Sequence, residues 1–238
     1  MNTKPVVRLH LFFATENSNA LILRRAKDRL YNLISWDRKT DSFVEGQWIK
    51  KYVRPDYCSL SPDGRHFLYV VTNADGRQAA SEHYTVISRP PWFTALALFP
   101  QGGLWQRGGR FLSNNQYVIE GDMQTDDIIG KAPGLTQIVR GDVTRTCRTG
   151  LRLRNGQPAR LSRALRDQLL DGVSPPRDTA MDRYETQAGR LYRRQGMELE
   201  LIRDFTDMEP QFEPAPYSED THPHDAPGWH PLDQERPR

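Results

Sequence analysis

The feature that most restricts this chain is the recurrence of short apolar runs, each cut off by a cluster of Pro, Gly, Asn, Asp or Ser. Val7, Leu9, Leu11 and Phe13 alternate with Arg8, His10 and Phe12, which is the two-residue period of a strand with two unlike faces. Asn17-Ser18-Asn19 then turns the chain into residues 20–23, and further runs follow at 30–36 and 42–49. A second series occupies 57–60, 65–71, 83–88 and 92–99, separated by S-P-D-G, N-A-D-G-R and R-P-P. A third contains Trp105, Phe111-Leu112 and residues 117–119, with glycines at 102, 103, 108 and 109 at its corners and 135–139 closing it. A last group runs over 183–187, 190–195 and 198–205, with Ala188-Gly189 as a hairpin turn. Runs this short suit small antiparallel sheets, so the chain is expected to be mainly all-β, built from four to five of them.

One stretch breaks the pattern. Residues 158–170 read P-A-R-L-S-R-A-L-R-D-Q-L-L and are followed by D-G, with Pro at the start and Gly just past the end. Leu161, Ala164, Leu165, Gln168 and Leu169 share one face, which predicts an amphipathic helix inserted over 158–171 of a single domain spanning 1–208. Beyond it, prolines at 210, 214, 216, 223, 227, 231 and 237 make 209–238 an extended, acidic arm. Apolar residues are only 37% of the 238, but aromatics reach 10%, so the cores are expected to be built from Trp, Tyr and Phe. No apolar run approaches the length of a membrane span, and the first residues carry no secretory signal pattern. The two cysteines, Cys58 and Cys147, form neither metal spacing nor a disulfide framework, and a reducing cytoplasm is the expected setting.

Two strings resemble the blades of WD-repeat and TolB-like β-propellers. I-S-W-D-R-K-T-D-S-F-V-E-G-Q-W-I (34–49) is similar to the third and fourth strands of a blade, with Trp36 ending one strand and Asp37 opening the turn. C-S-L-S-P-D-G-R-H-F-L-Y-V-V (58–71) is similar to the first and second strands of the next. Together they lie within a span of about forty residues, 34–71, and a ring of about five blades would fit the length. I-S-R-P-P-W (87–92), G-G-L-W-Q-R-G-G (102–109), D-F-T-D-M (204–208) and A-P-Y (215–217) extend the likeness to a group of uncharacterised bacterial proteins. That likeness implies a propeller-like fold and carries no activity.

Candidate chemistry is sparse. Ser61-Pro62-Asp63-Gly64 has Pro, Asp and Gly where a type I turn wants them, so the corner itself accounts for all four. Cys58, Asp63 and His66 can be drawn as a nucleophile, acid and base, but strand alternation sets neighbours on opposite faces. His222, His224 and His230 lie near Asp220 and Asp225, among prolines that give a metal no fixed geometry. G-G-L-W-Q-R-G-G lacks the lysine and the strand-to-helix setting of a phosphate loop. No catalytic residue, metal site or cofactor is assigned on these grounds.

Binding residues are easier to nominate. R-P-P-W stiffens a connection that carries Arg89 and Trp92, both favoured at protein interfaces, and Trp105 and Arg107 stand on a neighbouring corner. Residues 140–166 hold eight arginines against the single acid Asp142, whereas 198–238 hold eleven acids against three arginines. The first segment, with Arg148, Arg152 and Arg154, suits an acidic partner. The reading that follows is a non-enzymatic protein that binds another macromolecule, most simply a protein, with an inhibitor or immunity-type factor as one specific form. Two others stay open: an enzyme with a shallow polar or metal-assisted site at a propeller mouth, and a nucleic-acid accessory protein using 140–166.

Overall fold

The computed structural model describes residues 7–72, 83–101, 108–120, 128–140, 151–153 and 182–217. The predicted helix at 158–170 and the histidines of the C-terminal arm lie outside them. Among the described residues, seventeen strands fall into four sheets. The first is a meander of β1 (Arg8–Phe13), β2 (Asn19–Arg25), β3 (Leu30–Asp37) and β4 (Ser42–Lys50). In the second, β7 (Phe67–Thr72), β8 (His83–Ser88) and β9 (Ala95–Gln101) carry short edge strands: β5 (Tyr52–Val53) and β6 (Ser59–Leu60) on β7, and β12 (Ile129–Gly130) on β9. The third contains β10 (Gly109–Phe111), β11 (Gln116–Ile119), β13 (Thr136–Arg140) and β14 (Leu151–Leu153). The fourth contains β15 (Tyr184–Gln187), β16 (Arg190–Gln195) and β17 (Glu198–Asp204).

Among the described strands, pairing is antiparallel except between β11 and β13, where Gln116 and Tyr117 face Thr136 and Gln137 in parallel. The cause is topological. After β11 the chain crosses to lay β12 against β9 of the second sheet, with Ile129 opposite Leu98, and then returns to the third. The excursion reverses the direction in which β13 arrives. The run predicted at 92–99 also begins later than expected, because the Trp92 N–H closes a turn onto the Arg89 carbonyl and the N–H groups of residues 93 and 94 are bonded to Gln47 of the first sheet before β9 starts.

The sheets pack face to face. Leu21, Leu23, Tyr31 and Leu33 of the first meet Val53, Phe67, Tyr69, Val71 and Val86 of the second. The opposite face of the first sheet, with Leu9, Phe13, Ile22, Ile34 and Trp36, meets Leu191 and Phe205 of the fourth sheet and its exit. The opposite face of the second, with Leu68, Ile87, Ala97 and Phe99, meets Tyr117 of the third. The first and second sheets are therefore covered on both sides. That explains why L-I-L and F-L-Y-V-V are continuous apolar runs.

A bulge positions the junction between first and second sheets. Asn32 pairs with Trp48 but Ile34 with Glu45, so β4 carries an extra residue at Gly46-Gln47. The buried Asn32 amide donates to the carbonyls of Gly46 and Gln47, at 2.9 and 3.3 Å. Their peptide is thereby turned toward the second sheet, where the Gln47 N–H reaches the Pro91 carbonyl at 3.0 Å.

Candidate functional site

The S-P-D-G corner is closed by its own bonds. The Gly64 N–H donates to the Ser61 carbonyl at 2.8 Å, Ser61 Oγ donates to Asp63 Oδ1 at 2.6 Å, and the His66 N–H donates to Ser61 Oγ at 2.9 Å. Gly64 has φ +76°, which glycine adopts without strain. Neighbouring corners complete the arrangement. The Glu16 N–H donates to the Pro62 carbonyl, the Asn17 amide to the Asp63 carbonyl, and the Asp63 N–H to Asn114 Oδ1. Asn114 in turn donates to Glu16 Oε2 at 2.7 Å. The first turns of three successive sheets thus interlock here. Cys58, drawn with Asp63 and His66 as a catalytic set, instead donates its thiol to the Arg54 carbonyl, and burial pushes its pKa up to about 12. A thiol so held is no nucleophile at neutral pH.

The R-P-P-W connection is a second junction. Arg89 is buried, its N–H donates to Tyr217 Oη at 3.3 Å, and a cis Pro90–Pro91 peptide follows. Trp92 is half-buried and packs with Leu96, Ala215 and Tyr217. Gln47 Oε1 accepts the N–H groups of Phe93 and Thr94, each at 2.8 Å, and its amide donates to the Glu213 carbonyl. Of the residues nominated from sequence, Arg89 and Trp92 are therefore brought together at a point where two sheets and the 213–217 segment meet. Trp105, Arg107, Arg148 and Arg154 lie outside the described residues, and Arg152 is placed only by its backbone in β14. Sequence alone assigned no role to Gln47, and marked Tyr217 only as part of A-P-Y (215–217), since their partners are remote in the chain.

Two exposed features remain. On the outer face of the fourth sheet, away from the first, stand Tyr192, Leu199 and Leu201, with Met197 fully exposed in the adjoining turn. Leu199 is 40% and Leu201 52% exposed, and Arg194 and Glu185 form an ion pair beside them. The inner face of the same sheet is tied down by Arg193 to Asp41 at 2.7 Å and Arg203 to Glu45 at 2.6 Å. Two charged bridges and the Leu191 contact therefore fix which side of the sheet is presented.

The other feature is a cleft of about 640 Å³ where the β2–β3 turn, the β15–β16 turn and residues 206–212 converge. Val7, Ala26, Leu30, Ala188, Met208 and Phe212 supply apolar wall, and Arg24, Lys27, Lys50 and Arg190 supply cations beside Asp28 and Asp207. Arg24 is only 2% exposed. Its Nε donates to the Phe205 carbonyl at 2.7 Å, its Nη2 to the Thr206 carbonyl at 3.2 Å, and its guanidinium lies 5.3 Å over the Trp48 ring. Nη1 is buried with no hydrogen-bond partner. Burial lowers the Arg24 pKa, and the more distant Glu45 carboxylate opposes that shift.

Among the described residues no group of three or more His, Cys, Asp or Glu side chains is placed to hold a metal, and no helix is long and apolar enough to cross a membrane. No family model, curated protein or solved structure matches this chain.

Proposed function

We propose that this chain is a non-enzymatic binding protein whose partner is another protein, and that its stacked sheets form a propeller-like scaffold. The packing order supports the scaffold: the fourth sheet lies on the first, the first on the second, and the second on the third, as successive blades do. The observation that carries the function is the outer face of the fourth sheet. Leu199, Leu201 and Tyr192 form an apolar strip on a rigid strand pair, rimmed by the Arg194–Glu185 bridge. An apolar centre within a charged rim is the anatomy of a protein interface. A reducing cytoplasm suits the unpaired Cys58.

The test compares the wild-type chain with a Leu199→Glu, Leu201→Glu variant. Affinity capture from the native host should yield a stoichiometric partner with the wild type and lose it with the variant, while both melt at the same temperature. A partner retained by the variant would place the contact elsewhere. A variant that melts far below the wild type would show that the chain covers this face itself.

A further inference from the structure

We infer that the cleft between the β2–β3 turn and residues 206–212 is a receptor for a single carboxylate carried on an apolar body, with Arg24 as the anchor. A guanidinium removed from water is costly unless an anion or a full set of acceptors compensates it. Among the described residues, Arg24 has two carbonyls and the Trp48 ring, no carboxylate within ion-pair distance, and one buried nitrogen, Nη1, without an acceptor. The compensation is incomplete on the residue that lines the cleft.

The rest of the lining narrows the ligand. Lys27 and Lys50 are exposed at the rim and raise the local concentration of anions. Asp28 and Asp207 oppose a second negative charge, so a singly charged group is favoured over a phosphate dianion. A planar carboxylate also matches the fork of a guanidinium. Val7, Leu30, Met208 and Phe212 provide apolar wall for the body that bears it. Phe212 is 66% exposed, so this wall is open to solvent until something occupies it. Nη1 is itself screened from solvent, so engagement of this nitrogen requires the groups that cover it to move aside.

Such a carboxylate can belong to a free organic acid or to the C-terminus of a peptide. This inference stands apart from the protein-binding face on the fourth sheet, and neither fails with the other. Calorimetric titration of the full chain with hexanoate and with the neutral hexanamide tests the chemistry. The paired probes Leu-Leu-Leu with a free or an amidated C-terminus separate the two sources. The expected result is binding of at least one carboxylate probe, weakened about tenfold or more in its amide, as loss of a charged hydrogen bond implies. Arg24→Gln should abolish the difference between each pair. Because Arg24 also holds two carbonyls, a Lys27→Glu, Lys50→Glu variant is measured beside it and should weaken carboxylate binding with the melting temperature unchanged. Equal binding of carboxylate and amide, no binding of either carboxylate, or unaltered binding by the rim variant would overturn the inference.

Discussion

The hydroxyl of Tyr217 donates to the carbonyl oxygen of Thr94 at 2.7 Å and accepts the Arg89 N–H at 3.3 Å, so one side chain near the end of the described chain closes both sides of the R-P-P-W connection. Burial drives its phenol pKa far above the ordinary tyrosine value, which keeps the donor protonated throughout the physiological range. Tyr217→Phe leaves the ring in place and removes this partner from the buried Arg89 N–H and the part-buried Thr94 carbonyl. Its cost should be about 1–3 kcal/mol in a urea unfolding experiment with an unchanged denaturant slope. Truncation after Met208 should cost more, because it also removes Ala215 from Leu96 and the Glu213 carbonyl from Gln47. A truncated chain as stable as the full one would show these contacts to be idle.

Gly46 is the sharpest steric constraint at the same junction. A Cβ there would overlap the carbonyl and ring of Pro91, and the bulge leaves the strand no slack to move aside. Gly46→Ala should therefore separate the first and second sheets locally and cost about 1–3 kcal/mol by overpacking. Gly196→Ala is the control for mere loss of a glycine, since nothing lies within 4 Å of its Cβ position. That control carries backbone strain alone, from φ +64°. Thermal melts of the two variants should rank Gly46→Ala as the less stable, with loss of the near-ultraviolet signal of Trp48 beside it.

These junctions mark where reading the sequence succeeds and where it stops. The strand runs at 30–36, 83–88 and 190–195 were legible because local alternation or continuous burial leaves a pattern in neighbouring residues. Trp36 was legible as the end of a strand, although its indole donates to Asp41 at 3.2 Å rather than to the adjacent Asp37. β5, β12 and β14 were not legible, because two or three residues are too few to show a period. Gln47 reads as an ordinary polar strand position, and nothing near it announces that residues 93 and 94 need its oxygen. The cleft escaped for the same reason: Arg24 sits in L-I-L-R-R like any charge at a strand end, and its isolation from carboxylates is a property of the packed sheets.

Cys58 should behave as a half-buried structural thiol. With its pKa pushed up to about 12 by desolvation, its thiolate is scarce at neutral pH and its sulfur is bonded to the Arg54 carbonyl. In a Cys147→Ser background, a disulfide-exchange reagent at pH 8 should leave native Cys58 unmodified for as long as the fold persists. Labelling should then follow the unfolding curve in urea. Prompt modification of the native protein would mean that the 54–60 segment opens far more often than the rest of the second sheet.

His10 gives the fold a dependence on mild acid. Its pKa is lowered chiefly by burial, with Asp56 pulling it up and Arg25 and Arg8 pushing it further down, and its Nε2 is buried without a hydrogen-bond partner. The unfolded chain takes up a proton near the ordinary histidine value of 6.5, whereas the folded chain does so only at lower pH. Between those two values the unfolded state holds more protons, so stability falls as pH drops and rises as it returns. Below the folded value both states are protonated and the loss stays constant. His10→Gln removes this proton uptake and keeps a polar side chain of similar length. Unfolding free energies measured from pH 7.5 to 5 should decline less steeply in the variant than in the wild type, and parallel declines would assign the acid sensitivity to other groups.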